Sequence, residues 1–171
     1  MRTPAALVSL ALAAAPLGCG SSDNEMPLDP SGMYSINLRN DMNGCSLENW
    51  QEGAVSMVPL TITRSATDPT AITGKLGGVA GVVAVLVIGT DTFTGKVKGN
   101  GVQLESLGSR RMMMGACEST GVIRLQGMLT GDVLTGLVSY SFNTNKDPAC
   151  GVKNTCATLQ SFNGTRPPTV P

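Results

Sequence analysis

The sequence predicts an all-β fold: a small antiparallel up-and-down β-barrel of about eight strands, braced by two disulfides. Three observations carry that reading: runs in which apolar and polar residues alternate, glycines set inside several of those runs, and four cysteines downstream of an apolar leader that ends on a fifth. Alternation with period two is the pattern of a half-buried strand. A glycine inside such a strand marks a sharp bend or the close approach of another chain, which closure of a small barrel demands. With 21 glycines, 42% apolar and 14% charged residues among 171, the composition is that of a turn-rich, ordered domain. Twelve basic residues balance twelve acidic ones, so net charge points to no nucleic-acid partner. Histidine is absent, which excludes Ser-His-Asp and Cys-His catalysis and most zinc and copper sites. No metal or cofactor is expected.

The chain opens with Met1-Arg2, a short positive segment, followed over 5–17 by AALVSLALAAAPL, an apolar run too short to span a bilayer. Residues 1–18 therefore read as a signal peptide. Ala13-Ala14-Ala15 would suit ordinary signal peptidase, but Pro16 beside that cut is unfavourable. The stretch Leu17-Gly18-Cys19-Gly20 resembles the lipobox of bacterial lipoproteins, in which a small residue precedes a cysteine that receives diacylglycerol and becomes the new N-terminus. Gly18 and Cys19 match that pattern; Pro16 stands where the family carries an aliphatic residue, with Leu17 one place late. The resemblance implies lipid attachment at Cys19, a membrane partner through that lipid, and a place in the bacterial cell envelope. Gly20, where inner-membrane lipoproteins carry Asp, implies the outer membrane. Each buried methylene of such a lipid contributes about 0.8 kcal/mol.

Removing 18 residues leaves 153, enough for one domain with a real core. Residues 19–30, polar with two prolines and a single Leu after Cys19, read as a lipidated flexible tether. The barrel is expected over 31–164, and residues 165–171, with three prolines, as a frayed tail.

Tyr34, Ile36 and Leu38 alternate with Ser35, Asn37 and Arg39 as the first strand. Residues 40–53 read as a long loop carrying Cys45 and the only tryptophan, Trp50; a lone Trp plugs the end of a core more often than it stacks on a ligand. Val58, Leu60 and Ile62 form the second strand, with Pro59 implying a local edge or bulge, and Asp68-Pro69 marks the turn after it.

Three fragments follow one scheme: Ile72-Thr73-Gly74-Lys75-Leu76, Phe93-Thr94-Gly95-Lys96-Val97 and Leu134-Thr135-Gly136-Leu137-Val138. They resemble the strand motifs of avidin-type barrels, relatives of the lipocalins. The likeness covers a few residues per strand over about half the domain, and the several tryptophans of a biotin site have no counterpart beyond Trp50. It implies barrel architecture and no biotin binding.

The run that opens at Val79 and closes at Ile88, VAGVVAVLVI, is apolar on both faces, and its valines favour a strand. Its outward face needs cover, from the Trp50 loop or from a second copy or partner protein. Arg110-Arg111-Met112-Met113-Met114 reads as an adaptable rim, since cuprous ion would lack histidine there. Ile123, Leu125 and Leu129 face Leu134, Val138, Tyr140 and Phe142 across the clearest hairpin. Tyr140 and Phe142 fall at the barrel mouth and, with Trp50, are the candidate ligand-contacting residues. A polar loop over 143–155 leads to a closing strand over 156–162. This reading counts nine strands, whereas antiparallel closure needs an even number; 101–107 is the weakest assignment.

Four cysteines permit three pairings. Antiparallel closure sets the end of the first strand beside the start of the last, favouring Cys45 with Cys156. Cys117 and Cys150 flank the clear hairpin and favour each other, with a Cys150–Cys156 small loop as the alternative. Chemistry-bearing patterns are sparse: 89–96 misses P-loop spacing, and Glu48 with Glu52 reads as exposed loop charge. The expectation is a non-enzymatic envelope lipoprotein whose barrel binds a small apolar ligand or a protein partner, the alternative being an inhibitor or interaction module for a periplasmic or surface enzyme.

Overall fold

The computed structural model describes residues 28–167; the leader, Cys19 and 19–27 lie outside the described residues, as do 168–171. Eight strands run β1 (Gly32–Asn43), β2 (Val55–Arg64), β3 (Ala71–Leu76), β4 (Thr92–Lys98), β5 (Gly101–Met114), β6 (Cys117–Thr130), β7 (Val133–Thr144) and β8 (Thr158–Thr165). Each pairs antiparallel with its neighbours in sequence, and β1 closes the barrel on β8. A helix, α1 (Gly78–Ile88), bridges β3 and β4, and a 3-10 helix, Pro148–Asn154, bridges β7 and β8. The closed eight-stranded meander is compatible in general terms with calycin-like barrels.

The surplus strand is 79–88, which forms α1, while 101–107 is the first half of β5. The correction has a physical reason. β3 already pairs with β2 on one side and β4 on the other, so a ninth strand would find no ladder, and its backbone must satisfy itself locally. Glycine supplies both ends: Gly77 is extended at the N-cap, and Gly89 takes the left-handed conformation (φ 86°) with its N–H on the Val85 carbonyl. Tertiary context thereby overrides valine's strand preference. Pro59 fits the expected edge, because the β2–β3 ladder ends at Leu60 opposite Leu76 and the missing N–H faces no partner strand; the Pro59 carbonyl instead accepts from Gly77 N at 2.8 Å.

Inward side chains fill the end of the barrel opposite α1. Ile62, Val97, Val102, Leu129 and Leu134 are all buried there, and Tyr34 donates its hydroxyl to the Pro30 carbonyl at 2.9 Å. Segment 28–31 packs against this closed end, with Arg64 bonding the Leu28 carbonyl at 2.5 Å. At the C-terminal end of β8, Thr165 pairs with Val133 and Ser35, and Arg166 is held by Asp132 at 2.9 Å.

The opposite end carries α1, the loop after β1 and the 3-10 helix. β1 continues to Asn43, so that loop is shorter than the expected 40–53. Both favoured disulfides form there, Cys45–Cys156 and Cys117–Cys150, each of the kind that stabilises a domain by about 2–4 kcal/mol.

Candidate ligand-binding site

Between the packed closed end and α1 lies a cavity of about 420 Å³, within the roughly 300–1,000 Å³ of small-molecule sites. Its floor is Leu60, Phe93 and Leu104; its walls are Ile36, Val58, Leu125 and Val138. These are the inward positions of successive strands, so the period-two pattern itself builds the wall. The roof is one face of α1: Ala80, Val83, Ala84, Val87 and Ile88. Ile88 seats tightly, because Gly108 and Gly121 offer no side chains beneath it; a Cβ on Gly121 would lie 2.9 Å from Ile88 Cγ2.

The roof helix has no polar face. Val79 is 80% exposed, Val82 61% and Leu86 59%, and no charged residue occurs between Lys75 and Asp91. Its C-terminal carbonyls are served from the barrel rim, where Arg110 Nη1 donates to the Leu86 carbonyl. The outer face of α1 is thus a contiguous exposed apolar surface that includes Val79, Val82, Val85 and Leu86.

Four residues with polar side chains line the cavity, Ser56, Ser141, Tyr140 and Gln160, and the last two belong to one hydrogen-bonded relay. The Tyr140 hydroxyl bonds Gln160 Oε1. Gln160 Nε2 donates to Asn40 Oδ1 at 2.6 Å, and Asn40 Nδ2 donates to the Gln51 carbonyl at 2.9 Å. Asn40 sits where the β1–β8 register shifts, a bulge of the kind that re-aims a side chain. Burial pushes the Tyr140 phenol up to about 12, so it stays a neutral hydroxyl. None of the lining residues carries a charge. Another polar group of the interior, the Ser106 hydroxyl, is 3% exposed and bonds no partner among the described residues.

Of the residues singled out from sequence, Tyr140 and Phe142 line the cavity, and Leu47, not Trp50, reaches it from the loop after β1. Trp50 Nε1 is buried without a hydrogen-bond partner among the described residues. Phe142 closes the rim, with Lys153 Nζ 5.4 Å from its ring centre. Gln160 and the α1 roof went unread. Gln160 had a signal: it alternates with Thr158 and Phe162 at an inward register of β8, where an amide needs partners. Among the described residues no cluster of three potential metal ligands occurs, and no helix is long and apolar enough to cross a membrane. Compared with family models, curated proteins and solved structures, the chain has no match.

Proposed function

We propose that this protein is a non-enzymatic carrier or sensor of a small apolar molecule, held in the cavity beneath α1. One observation carries the reading: a cavity of about 420 Å³ walled by aliphatic and aromatic side chains, without a charged lining residue, under a helix that is itself apolar on every side. Burial of apolar ligand surface contributes roughly 25 cal/mol per Å², which offsets the cost of immobilising a small molecule. The experiment is titration with an apolar fluorescent probe, followed by native mass spectrometry. Wild-type protein is expected to bind the probe, and Val138→Trp, which fills the cavity, is expected to abolish binding while leaving the circular dichroism unchanged. Undiminished binding by Val138→Trp would place the probe elsewhere and sink the reading.

The resemblance of Leu17-Gly18-Cys19-Gly20 to a lipobox supports a further part of the proposal, that the barrel is tethered to the bacterial cell envelope, at the outer membrane, by lipid on Cys19. Mass analysis of the mature N-terminus tests it, and an unmodified Cys19 excludes it. A second reading, an interaction or inhibitor module for an envelope enzyme, is favoured by the exposed outer face of α1; loss of a partner with retention of the probe in Val82→Glu would distinguish it.

A further inference from the structure

We propose that the cavity selects a neutral hydrogen-bonding head, a hydroxyl or an amide, on a single-chain amphiphile, and discriminates against a carboxylate; the inference rests on the carrier reading above. Its basis is the direction of one hydrogen-bond chain. The Gln51 backbone carbonyl only accepts, so Asn40 must present Nδ2 to it and turn Oδ1 away. Gln160 must then offer Nε2 to that oxygen, which leaves Oε1 facing Tyr140. The phenolic hydrogen is therefore committed to Gln160, and every orientation in the relay follows from a main-chain group that cannot be reversed.

What the relay leaves for a ligand is fixed by the same count. The Tyr140 oxygen keeps lone pairs, and Gln160 keeps one further N–H. A hydroxyl or an amide donates to the first and accepts from the second. A carboxylate can accept from the Gln160 N–H or from the Ser56 and Ser141 hydroxyls that also line the cavity, but it has no hydrogen for the Tyr140 oxygen and finds no cation, because no lining residue is charged; an ion buried without a counter-charge is costly. A protonated amine fails for the same lack of a counter-charge. Burial keeps Tyr140 in its neutral form up to about 12, so the preference holds across the physiological pH range.

The test compares decanol, decanoate and decane as competitors of a bound apolar fluorescent probe at pH 8, on the full oxidised chain. Decanol is expected to bind at least about tenfold more tightly than decanoate. Tyr140→Phe, which deletes the accepting oxygen, is expected to weaken decanol about three- to tenfold, the range of one net hydrogen bond, and to leave decane unchanged. Decanoate binding as well as decanol, or decanol indifferent to Tyr140→Phe, overturns the inference while the carrier reading stands. If Tyr140→Phe does not fold, the wild-type ranking decides alone. Absence of binding by the probe and all three competitors removes the carrier reading and this inference with it.

Discussion

The guanidinium of Arg166 stands 5.7 Å from the centre of the Tyr34 ring, joining the residue after the last strand to the first turn of the first. The same side chain bonds Asp132 at 2.9 Å, the Asp29 carbonyl at 2.9 Å and the Ser31 carbonyl at 2.5 Å. One buried cation thus ties three segments together where the barrel is sealed, opposite the cavity.

Arg166→Ala is therefore expected to destabilise the domain by about 3 kcal/mol, the range for removing one partner of a largely buried pair. The Arg166 side chain is 10% exposed. The control is Arg124→Ala: its pair with Glu105 is about half exposed on both sides, and such surface pairs contribute about 1 kcal/mol or less. Urea unfolding of the oxidised proteins checks the contrast, and equal losses would refute the ranking.

The recurring glycines make a second ranking. A Cβ on Gly95 would collide with the Gln103 carbonyl and lie 2.9 Å from Leu104 Cα, and one on Gly136 would lie 2.6 Å from Gly127 Cα; both obstacles are backbone. A Cβ on Gly74 meets the tip of the Leu104 side chain at 2.8 Å, which can turn aside. Gly95→Ala and Gly136→Ala are expected to cost about 2–3 kcal/mol and Gly74→Ala about 1 kcal/mol or less. Thermal melts that place all three together would remove close strand approach as the reason for the motif.

Those glycines show what the sequence makes legible. Alternation and in-strand glycine are local consequences of a pleated, closed sheet, so the barrel and its disulfides can be read from the chain. Val79 to Ile88 could not be, because what decides its conformation is that β3 and β4 already have both neighbours, a fact about topology. The polar relay escaped for a related reason: Asn40 with Gln51 and Tyr140 with Gln160 are each within 20 residues, but the two pairs, 120 residues apart, meet only where β1 closes on β8. Trp50 drew notice by its size, yet size does not say which way a loop turns.

Tyr140 also predicts a pH dependence. Its folded pKa is pushed up to about 12 by burial, above the unfolded value of about 10. Between those values the folded state holds more protons, so stability is complete below pH 10 and falls as pH rises towards 12, by roughly 2–3 kcal/mol once passed. Absorbance titration of tyrosinate checks the order. Tyr34 is also raised, chiefly by burial, so neither of the two tyrosines should ionise at its ordinary value while the fold persists, and Tyr140→Phe should remove the later step. A step near pH 10 that disappears in Tyr140→Phe would contradict the buried relay.

The seat of α1 should control how fast a ligand leaves. At Gly108 an added Cβ would lie 2.7 Å from the Ile88 carbonyl oxygen and 3.0 Å from that of Gly121, so either the helix or the β5–β6 ladder must yield. The ladder is a hydrogen-bonded sheet continuous on both sides of the bulge between Leu107 and Arg111. The helix end rests on packing, on Arg110, and on the Ser109 hydroxyl bonded to the Gly89 carbonyl at 3.4 Å. The helix is the softer partner, so Gly108→Ala should lift its C-terminal turn and open the roof. The expected result is a several-fold faster release of a bound apolar probe in stopped-flow dilution, with a stability loss of about 1–3 kcal/mol. Gly121→Ala should do less on both counts, since it meets only the Ile88 side chain, which can rotate. A Gly108→Ala protein that is less stable yet releases the probe at the wild-type rate would show that the sheet yields instead, and that α1 does not gate the cavity.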